Sequence, residues 1–538
     1  MIQDKMDFSM HIITRFLYFI VLLPLLVGCG GGNSHWYSEY DKTTTGMPAE
    51  LQYGSFSAGL YGTSETHTIA VLLPTSGPKA AIGKTILPAI EAAYMQFAPS
   101  ELQMSFYDTG ADDVHSVIEN AVASNPEIII GPVFAENAKI LRDIKPSSIP
   151  ALSFTSDTSA VGDGVFSMAV IPANTIETTL QEMNARGAKS FIIMAPNSSS
   201  GHLMAGAAER ISNVYNIDNV GVFFYNEHDT ESIKNASMDA AMYTARNAAN
   251  TRAKEILSAI LNHENLSPTE KSSLSRQLER IGRTDTLGTL PYDSVLFLGS
   301  TDDTKSLASF LRYYGLGVRD AQFYGTPMWE EGDIASDLTM TGSVFATLPE
   351  IPSNFSALYQ SATNNPASRM AAIGYDATIL AIGAVYSQNG VAPYLMNAGG
   401  YVGANGLFRL RPNGLNERAL QIVRLNGDGT TTVARTPAVA FTIPIYKTNE
   451  VYISPANDKA LVARGVNPMD YINIPERFRG KYRAKTYGVT KTTNSSTTFE
   501  SVTITPTNDD FSIKAENYKP VPLETVNRTY IDSVEISE

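Results

Sequence analysis

Ile69-Ala70-Val71-Leu72-Leu73-Pro74-Thr75-Ser76-Gly77-Pro78 is the stretch on which the fold turns. Apolar residues run from Ile69 to Leu73 without a polar break, and turn residues follow from Pro74. A strand buried on both faces of a parallel sheet reads this way, because a half-exposed strand would alternate. Beyond it, Ile82, Ile86, Ile90, Tyr94 and Phe97 recur at helical spacing. Pro88 lies inside that predicted helix and is expected to kink it.

Working outward, the same alternation repeats. Short apolar runs at Met104–Tyr107, Ile128–Ile130, Ala151–Phe154, Phe191–Met194, Val220–Tyr225, Val295–Leu298 and Gln322–Tyr324 read as strands. Segments of helical character separate them: Val114–Ala123, Glu136–Asp143, Thr175–Arg186, His202–Val214 and Thr304–Tyr314. Strand–helix alternation implies an α/β fold of doubly wound, largely parallel sheets. The Ala-rich, charged stretch from Met238 to Arg280 interrupts the rhythm and suggests a helical hairpin packed on one side. From about Thr436 the chain turns rich in Thr, Ser, Asn and Pro, and Lys491 to Thr507 is nearly low-complexity. That C-terminal extension, 436–538, is read as a β-rich module or as a partly disordered tail.

The N-terminal end carries an address. Phe16 to Val27 is apolar, too short to span a bilayer as a helix but suited to the core of a secretory signal. His11 and Arg15 precede it, so Met10 is a candidate start beside Met1 and Met6. Leu26-Val27-Gly28-Cys29 resembles the bacterial lipobox, and Cys29 is the only cysteine in the chain. The expectation is a signal at 1–28, cleavage before Cys29, lipidation of Cys29, and a Gly/Ser-rich tether over 29–66. Gly30 follows where an aspartate would retain a lipoprotein at the inner membrane. The expected location is therefore the periplasmic face of an outer membrane.

Of 538 residues, 43% are hydrophobic and 17% charged, ordinary for a globular chain large enough for two or three lobes. The net charge is −14. Residues from Ala440 onward carry 12 basic and 12 acidic groups, so the surplus lies ahead of them. An exported acidic chain is a poor partner for nucleic acid.

Taken together, the pieces resemble a known family. Ile69 to Pro78 with Ala81-Ile82-Gly83 is similar to the opening of type I periplasmic binding proteins, the leucine-binding Venus-flytrap superfamily. The likeness continues through Glu127 to Pro132, Ile149 to Ser153, Ser294 to Gly299, and Gly374-Tyr375-Asp376-Ala377. It closes with Gly403 to Leu410, Asn413-Gly414 and Arg418. The resemblance implies a flytrap body over 67–435, two α/β lobes joined by three crossovers with ligand between them. Lobe one would take 67–171 and 348–397, and lobe two 172–347 and 398–435. With the lipobox, the Ser-Gly-Pro, Gly-Pro and Asn-Gly-Leu-Phe-Arg pieces look most like penicillin-binding-protein activators, lipoproteins that stimulate peptidoglycan synthases. Enteric activators carry a helical-repeat domain before the flytrap, where this sequence has the tether.

In open parallel sheets, ligands bind beyond the carboxyl ends of strands. The loops expected there hold Ser76 and Gly77; Phe134 and Ala135; Ser153, Thr155 and Ser156; Ser198 and Ser199; Tyr225; Thr301; and Trp329 with Glu330. Small hydroxyls and free amides suit a carboxylate, Trp329 an apolar wall, Glu330 an ammonium group. Turn and cap chemistry explains the same residues one at a time. Relatives that bind branched amino acids hold the carboxylate with a serine where this chain has Phe134 and Ala135.

Other signals fail. Gly77 to Thr85 imitates a phosphate-binding loop but puts five residues between its glycines, one being Pro78. The seven histidines lack ligand spacing, and no catalytic motif appears, so no enzyme, metal or cofactor is expected. Arg477, Arg479, Lys481, Arg483 and Lys485 alternate with Phe478, Gly480, Tyr482 and Ala484, which as a strand would gather five cations on one face. That face would dock on an anionic surface or partner, or simply guard a sheet edge. Two functions stay open: a non-catalytic envelope lipoprotein that regulates peptidoglycan synthesis through a penicillin-binding protein, or a receptor delivering an amino acid or similar small solute to an ABC transporter.

Overall fold

The structure, a computed structural model, describes residues 66–441 and 466–487 apart from positions 263, 264, 331, 483 and 485. The expected signal, Cys29 with its tether, and the low-complexity stretch after Lys491 lie outside the described residues.

The first sheet is built by β1 (His67–Leu73), α1 (Ala80–Phe97), β2 (Leu102–Asp108), α2 (Val114–Ala123), β3 (Ile128–Ile130), α3 (Ala135–Ile144), β4 (Ala151–Ser153) and β5 (Val165–Ser167). Its order is β2-β1-β3-β4-β5, every pair parallel. β1 is buried on both faces, as its unbroken apolar run demands. Ile69, Val71 and Leu73 pack with Ile86 and Ile90 of α1. Ala70 and Leu72 pack on the other side with Ile118 and Ala121 of α2 and Leu141 of α3. α1 runs as one helix through Pro88, and Gly83 lets it rest directly on the Pro74 carbonyl, where a Cβ would collide.

The chain then builds α4 (Pro172–Ala185), β6 (Ser190–Pro196), α5 (Ser199–Val214), β7 (Asp218–Tyr225), α6 (Thr230–Ala240), α7 (Tyr243–Leu261) and α8 (Pro268–Gly282). It continues with β8 (Ser294–Phe297), α9 (Thr301–Tyr313), β9 (Gln322–Gly325) and β10 (Val344–Thr347). It next returns to the first sheet. There α10 (Ser353–Thr363), α11 (Arg369–Val385) and α12 (Val391–Leu395) complete the core, Ile373, Ala377 and Leu380 of α11 joining Ile86 and Ile90. A small antiparallel sheet follows, β11 (Tyr401–Gly403), β12 (Gly406–Leu410) and β13 (Asn416–Arg418). Finally β14 (Gln421–Leu425) and β15 (Thr431–Arg435) finish the second sheet, ordered β15-β14-β10-β9-β8-β6-β7. It is parallel from β7 to β10 and antiparallel at β14 and β15.

The chain thus passes between the sheets three times, after β5, after β10 and before β14, and side chains bind the passages together. Asn416 donates to the Ser167 and Ala169 carbonyls at 2.8 and 2.6 Å. Arg418 donates to the Met168 carbonyl, and Gln421 to that of Leu348 at 3.2 Å. Arg369 donates to the carbonyls of Leu348, at 3.1 Å, and Pro349. Asp376, on α11, accepts the Ala404 and Asn405 amides at 2.6 and 3.2 Å. Burial raises the Asp376 carboxyl to about 6 and lowers Arg418 to about 10, each opposed by the other's charge.

The C-terminal segment differs from expectation. Arg477 to Tyr482 does not form a strand: Glu476–Arg479 is a helical turn, α13, entered from Pro475. The alternation that imitates a strand is broken because Phe478 is drawn into an apolar cluster with Ile256, Ile260, Leu274 and Ile281 of α7 and α8, beside Ile472 and Ile474. Burial of one aromatic in a ready groove outweighs weak strand preference. Arg477 is spent on Glu270 at 2.6 and 2.9 Å, and Arg479 pairs with Glu476 at 3.2 Å. Gln277 and Asn473 exchange bonds at 2.9 and 2.7 Å. Residues 466–487 therefore form a clasp on the α7–α8 hairpin, and its β character is one bridge between Val466 and Tyr487. Arg483 and Lys485 lie outside the described residues.

Arg477, then the Ser267 amide and hydroxyl, hold the Glu270 carboxyl down at about 2. A depressed carboxylate stabilises the fold above its unfolded pKa and loses that contribution as pH falls towards its folded one. Protection factors of the described amides in 466–487, corrected for the intrinsic exchange rate, are accordingly expected to fall selectively as pH drops below the ordinary glutamate range. Unchanged protection in a pH-jump exchange experiment would remove this pair from the account.

Among the described residues no helix is long and apolar enough to cross a membrane.

Candidate functional site

Both sheets turn their carboxyl edges towards the crossovers, because β5 and β10 run straight into them at Ser167 and Thr347. The predicted ligand residues stand along these edges, but most are already engaged.

On the first sheet Asp108, ending β2, accepts the amides of Thr75, Ser76 and Gly110 at 2.7, 3.2 and 2.8 Å. Burial alone would raise its carboxyl; the Ser76 hydroxyl and these amides outweigh that and hold it well below the usual range. Ser76 and Gly77 are exposed in the resulting turn, Gly77 at φ +71°. Ser153, fully buried, donates to the Pro132 carbonyl at 2.8 Å. The Thr155 hydroxyl accepts the Asp157 amide at 3.1 Å, and its carbonyl accepts Ser167 at 2.6 Å. Ser156 beside it is exposed. Phe134 precedes α3 without a side-chain cap, Lys79 lies 4.0 Å over its ring, and Ala135 opens the helix half-buried. The hydroxyls of Ser76, Ser153 and Thr155, which would anchor a small ligand on this edge, hold the loops together instead.

On the second sheet Ser198 caps α5 through the Gly201 amide at 3.2 Å, with Ser199 exposed on the first turn. Thr301 donates to the Met328 carbonyl at 2.9 Å. Trp329 is not a cleft wall. It is 2% exposed in the core, 6.0 Å from Phe297 and 5.7 Å from Phe345, and its indole N–H reaches Thr304 at 3.3 Å. The turn Pro327–Glu330 folds the ring inward, since so large an apolar surface gains most from burial. Glu330 is not free for an ammonium ligand: it accepts from Thr347 and pairs with Arg369 at 3.0 Å.

Tyr225 is the exception. It is fully buried at the end of β7, and its hydroxyl has no hydrogen-bond partner among the described residues. Asp303 is 2% exposed; its Oδ1 accepts the His228 amide at 3.1 Å while Oδ2 is likewise unpartnered. Burial, then Asp303, then Glu227 raise the Tyr225 phenol. Sequence reasoning named Tyr225 but missed Asp303. It stands three residues after Ser300, which caps α9 through the Asp303 amide at 3.3 Å, so it reads as an ordinary helix start. An unsatisfied buried hydroxyl costs stability. Tyr225→Phe is therefore expected to stabilise the ligand-free protein by about 1 kcal/mol in urea denaturation. A loss of that size would mean the hydroxyl has a partner.

Among the described residues no three His, Cys, Asp or Glu side chains gather as a metal site.

The sequence profile of the family described as periplasmic binding protein matches residues 66–430. The chain belongs to the periplasmic binding protein family. A curated relative from Pasteurella multocida (strain Pm70), penicillin-binding protein activator LpoA, is 25% identical over 167 residues. That match takes in 30% of this chain and 28% of the relative, so well under half of the relative's length is spanned. Among solved structures, a putative branched-chain amino acid ABC transporter from Rhodospirillum rubrum superposes with a TM-score of 0.52 at 14% identity, covering 68% of this chain and 99% of that one. The LpoA (YraM) C-domain from Haemophilus influenzae, described as a regulator of PBP1A, covers 68% of this chain and 99% of its own at 15% identity, with a TM-score of 0.44. The expected α/β periplasmic-binding-protein fold is thereby established.

Proposed function

We propose that this protein is a non-catalytic envelope lipoprotein, anchored through Cys29 to the periplasmic face of the outer membrane, that activates a peptidoglycan synthase of the penicillin-binding-protein class. The observation that carries the reading is the sequence relation to the activator LpoA. The first sheet's edge supports it. Ser153 and Thr155 are committed to the fold and Phe134 stands where a ligand-binding serine is expected, which suits a flytrap body used as a surface rather than as a trap.

The test is recovery of a synthase with the tagged protein from envelope extracts, together with the rate of glycan synthesis by that enzyme with and without it. Absence of both sinks the proposal. The receptor reading keeps one point in favour, the Tyr225 hydroxyl and the Asp303 Oδ2, both buried and unpartnered among the described residues, groups suited to a ligand's ammonium. A thermal-shift screen against amino acids separates the two. A ligand at a hundredfold its Kd adds about 2.7 kcal/mol and raises Tm visibly.

A further inference from the structure

The first sheet has two edges, of which β5 is covered. There the Ser167 amide donates to the Gly414 carbonyl at 2.8 Å, and Val165 and Gly162 exchange bonds at 2.8 and 2.9 Å. At β2 the opposite holds. The His67 amide donates to the Glu101 carbonyl at 3.2 Å and the Thr109 amide to that of Leu73 at 2.9 Å, so the odd-numbered residues of β2 bond to β1. Their even-numbered neighbours turn amides and carbonyls outward. Leu102 is satisfied there, by the Pro99 carbonyl at 3.1 Å and the Tyr94 hydroxyl at 2.7 Å. The amides and carbonyls of Met104 and Phe106 have no partner among the described residues. Phe106 is 50% exposed, and no charge or proline guards the strand from Leu102 to Tyr107.

The flank of α1 beside this edge is open as well. Lys84, Glu91 and Met95 lie within an arc of about 40° on the helix. All three are exposed, Met95 at 85%. Leu87 and Tyr94, half-buried, lie between that arc and β2. Neither Lys84 nor Glu91 makes an ion pair among the described residues.

We propose that this edge and flank form an isologous interface with a second copy of the chain, the two β2 strands antiparallel about a two-fold axis through Ser105. In that register Met104 stands opposite Phe106 of the second copy and Phe106 opposite its Met104, so every outward group left open finds a partner. The two side chains share one face, because Met104 packs with Leu102 in the α1 core and Phe106 follows two residues on. Sulfur beside an aromatic ring is a favourable contact. The same axis matches the helices. Tyr94 fixes α1 level with Leu102. Ser105 lies about 10 Å further along the strand, which is some seven residues back along the helix. The axis therefore crosses α1 near Leu87 and Pro88, and each Lys84 faces the Glu91 of the other copy. Charge complementarity thus selects a second copy over an arbitrary strand. A dimer of this kind neither requires nor excludes a synthase partner.

The test uses the full chain carrying Cys29→Ser, which leaves no cysteine. Ser105→Cys in that background brings two thiols to the axis, where facing Cα atoms stand about 4.5 Å apart, within disulfide reach. Gln103→Cys, also at an exposed position, leaves them about 13 Å apart, beyond that reach. The expected result is that a mild oxidant links the 105 variant into a dimer and leaves the 103 variant monomeric on non-reducing gels. Association through the apolar 16–27 run would treat the two alike. In the cysteine-free chain, Lys84→Glu is expected to weaken the dimer about tenfold in sedimentation equilibrium, since two ion pairs become repulsions. Adding Glu91→Lys should restore it, and thermal melting checks that each variant keeps the fold. No linking at 105, equal linking at both positions, or a charge swap that fails to restore association would overturn the proposal.

Discussion

Arg418→Ala is expected to lower the unfolding free energy by about 3–5 kcal/mol, by emptying a buried side-chain site and leaving the buried Asp376 carboxyl without a nearby guanidinium. Arg418 is 2% exposed in the small sheet beside the crossovers, 5.0 Å from the Phe408 ring and bonded to the Met168 carbonyl. Its charge offsets the burial of Asp376, which ties α11 to the Ala404 and Asn405 amides. Without the guanidinium, Asp376 must bury its charge alone or take up a proton. The double replacement Arg418→Met with Asp376→Asn removes both charges and should recover part of the loss, since a matched apolar or neutral pair is tolerated better than a widowed ion. Urea denaturation of the four proteins in the cycle reads the coupling. Additive losses would mean that the two groups do not sense each other.

Trp329→Ala should cost about 3–5 kcal/mol as well, by cavity formation in the second sheet's core. The indole fills the space between Phe297 and Phe345, and Gly325 is kept bare because a Cβ there would strike the ring. A cleft-facing tryptophan would behave differently, losing little stability and changing ligand affinity instead. A loss below about 1 kcal/mol in denaturant titration would therefore return Trp329 to the surface and restore its role as an apolar wall.

Most of the parallel core was legible in the sequence. β3 and α2 fall where the apolar runs and helical spacing put them, at Ile128–Ile130 and Val114–Ala123, because in both cases pattern and burial agree. β5 and β10 were missed. Val165–Ser167 and Val344–Thr347 are short, and the runs around them mix glycine, methionine and threonine, so no contrast marks their ends. The antiparallel additions β14 and β15 were missed for another reason: Gln421 and Arg424 interrupt one, while β15 is a solvent-facing edge with nothing to bury.

The site was legible as a set of loops but not as chemistry. Whether Ser153 offers its hydroxyl outward or to Pro132 depends on a carbonyl twenty-one residues away, which no local pattern reports. Glu330 reads as a free carboxylate until α11 delivers Arg369 beside it. The basic run after Pro475 reads as a strand until the hairpin offers Phe478 a place to go.

The threefold passage between the sheets also governs when this protein can fold. β1 is made early, yet one of its faces is covered by Ile373, Ala377 and Leu380, which the ribosome adds only after the whole second sheet up to β10 has been synthesised. The second sheet in turn waits for β14 to close against Val344–Thr347. Neither half can mature on its own as it emerges, and pairing of such distant segments is slow. For most of its synthesis the chain shows an apolar face to whatever holds unfolded chains, and folding comes as a late, nearly concerted event once the closing elements have arrived.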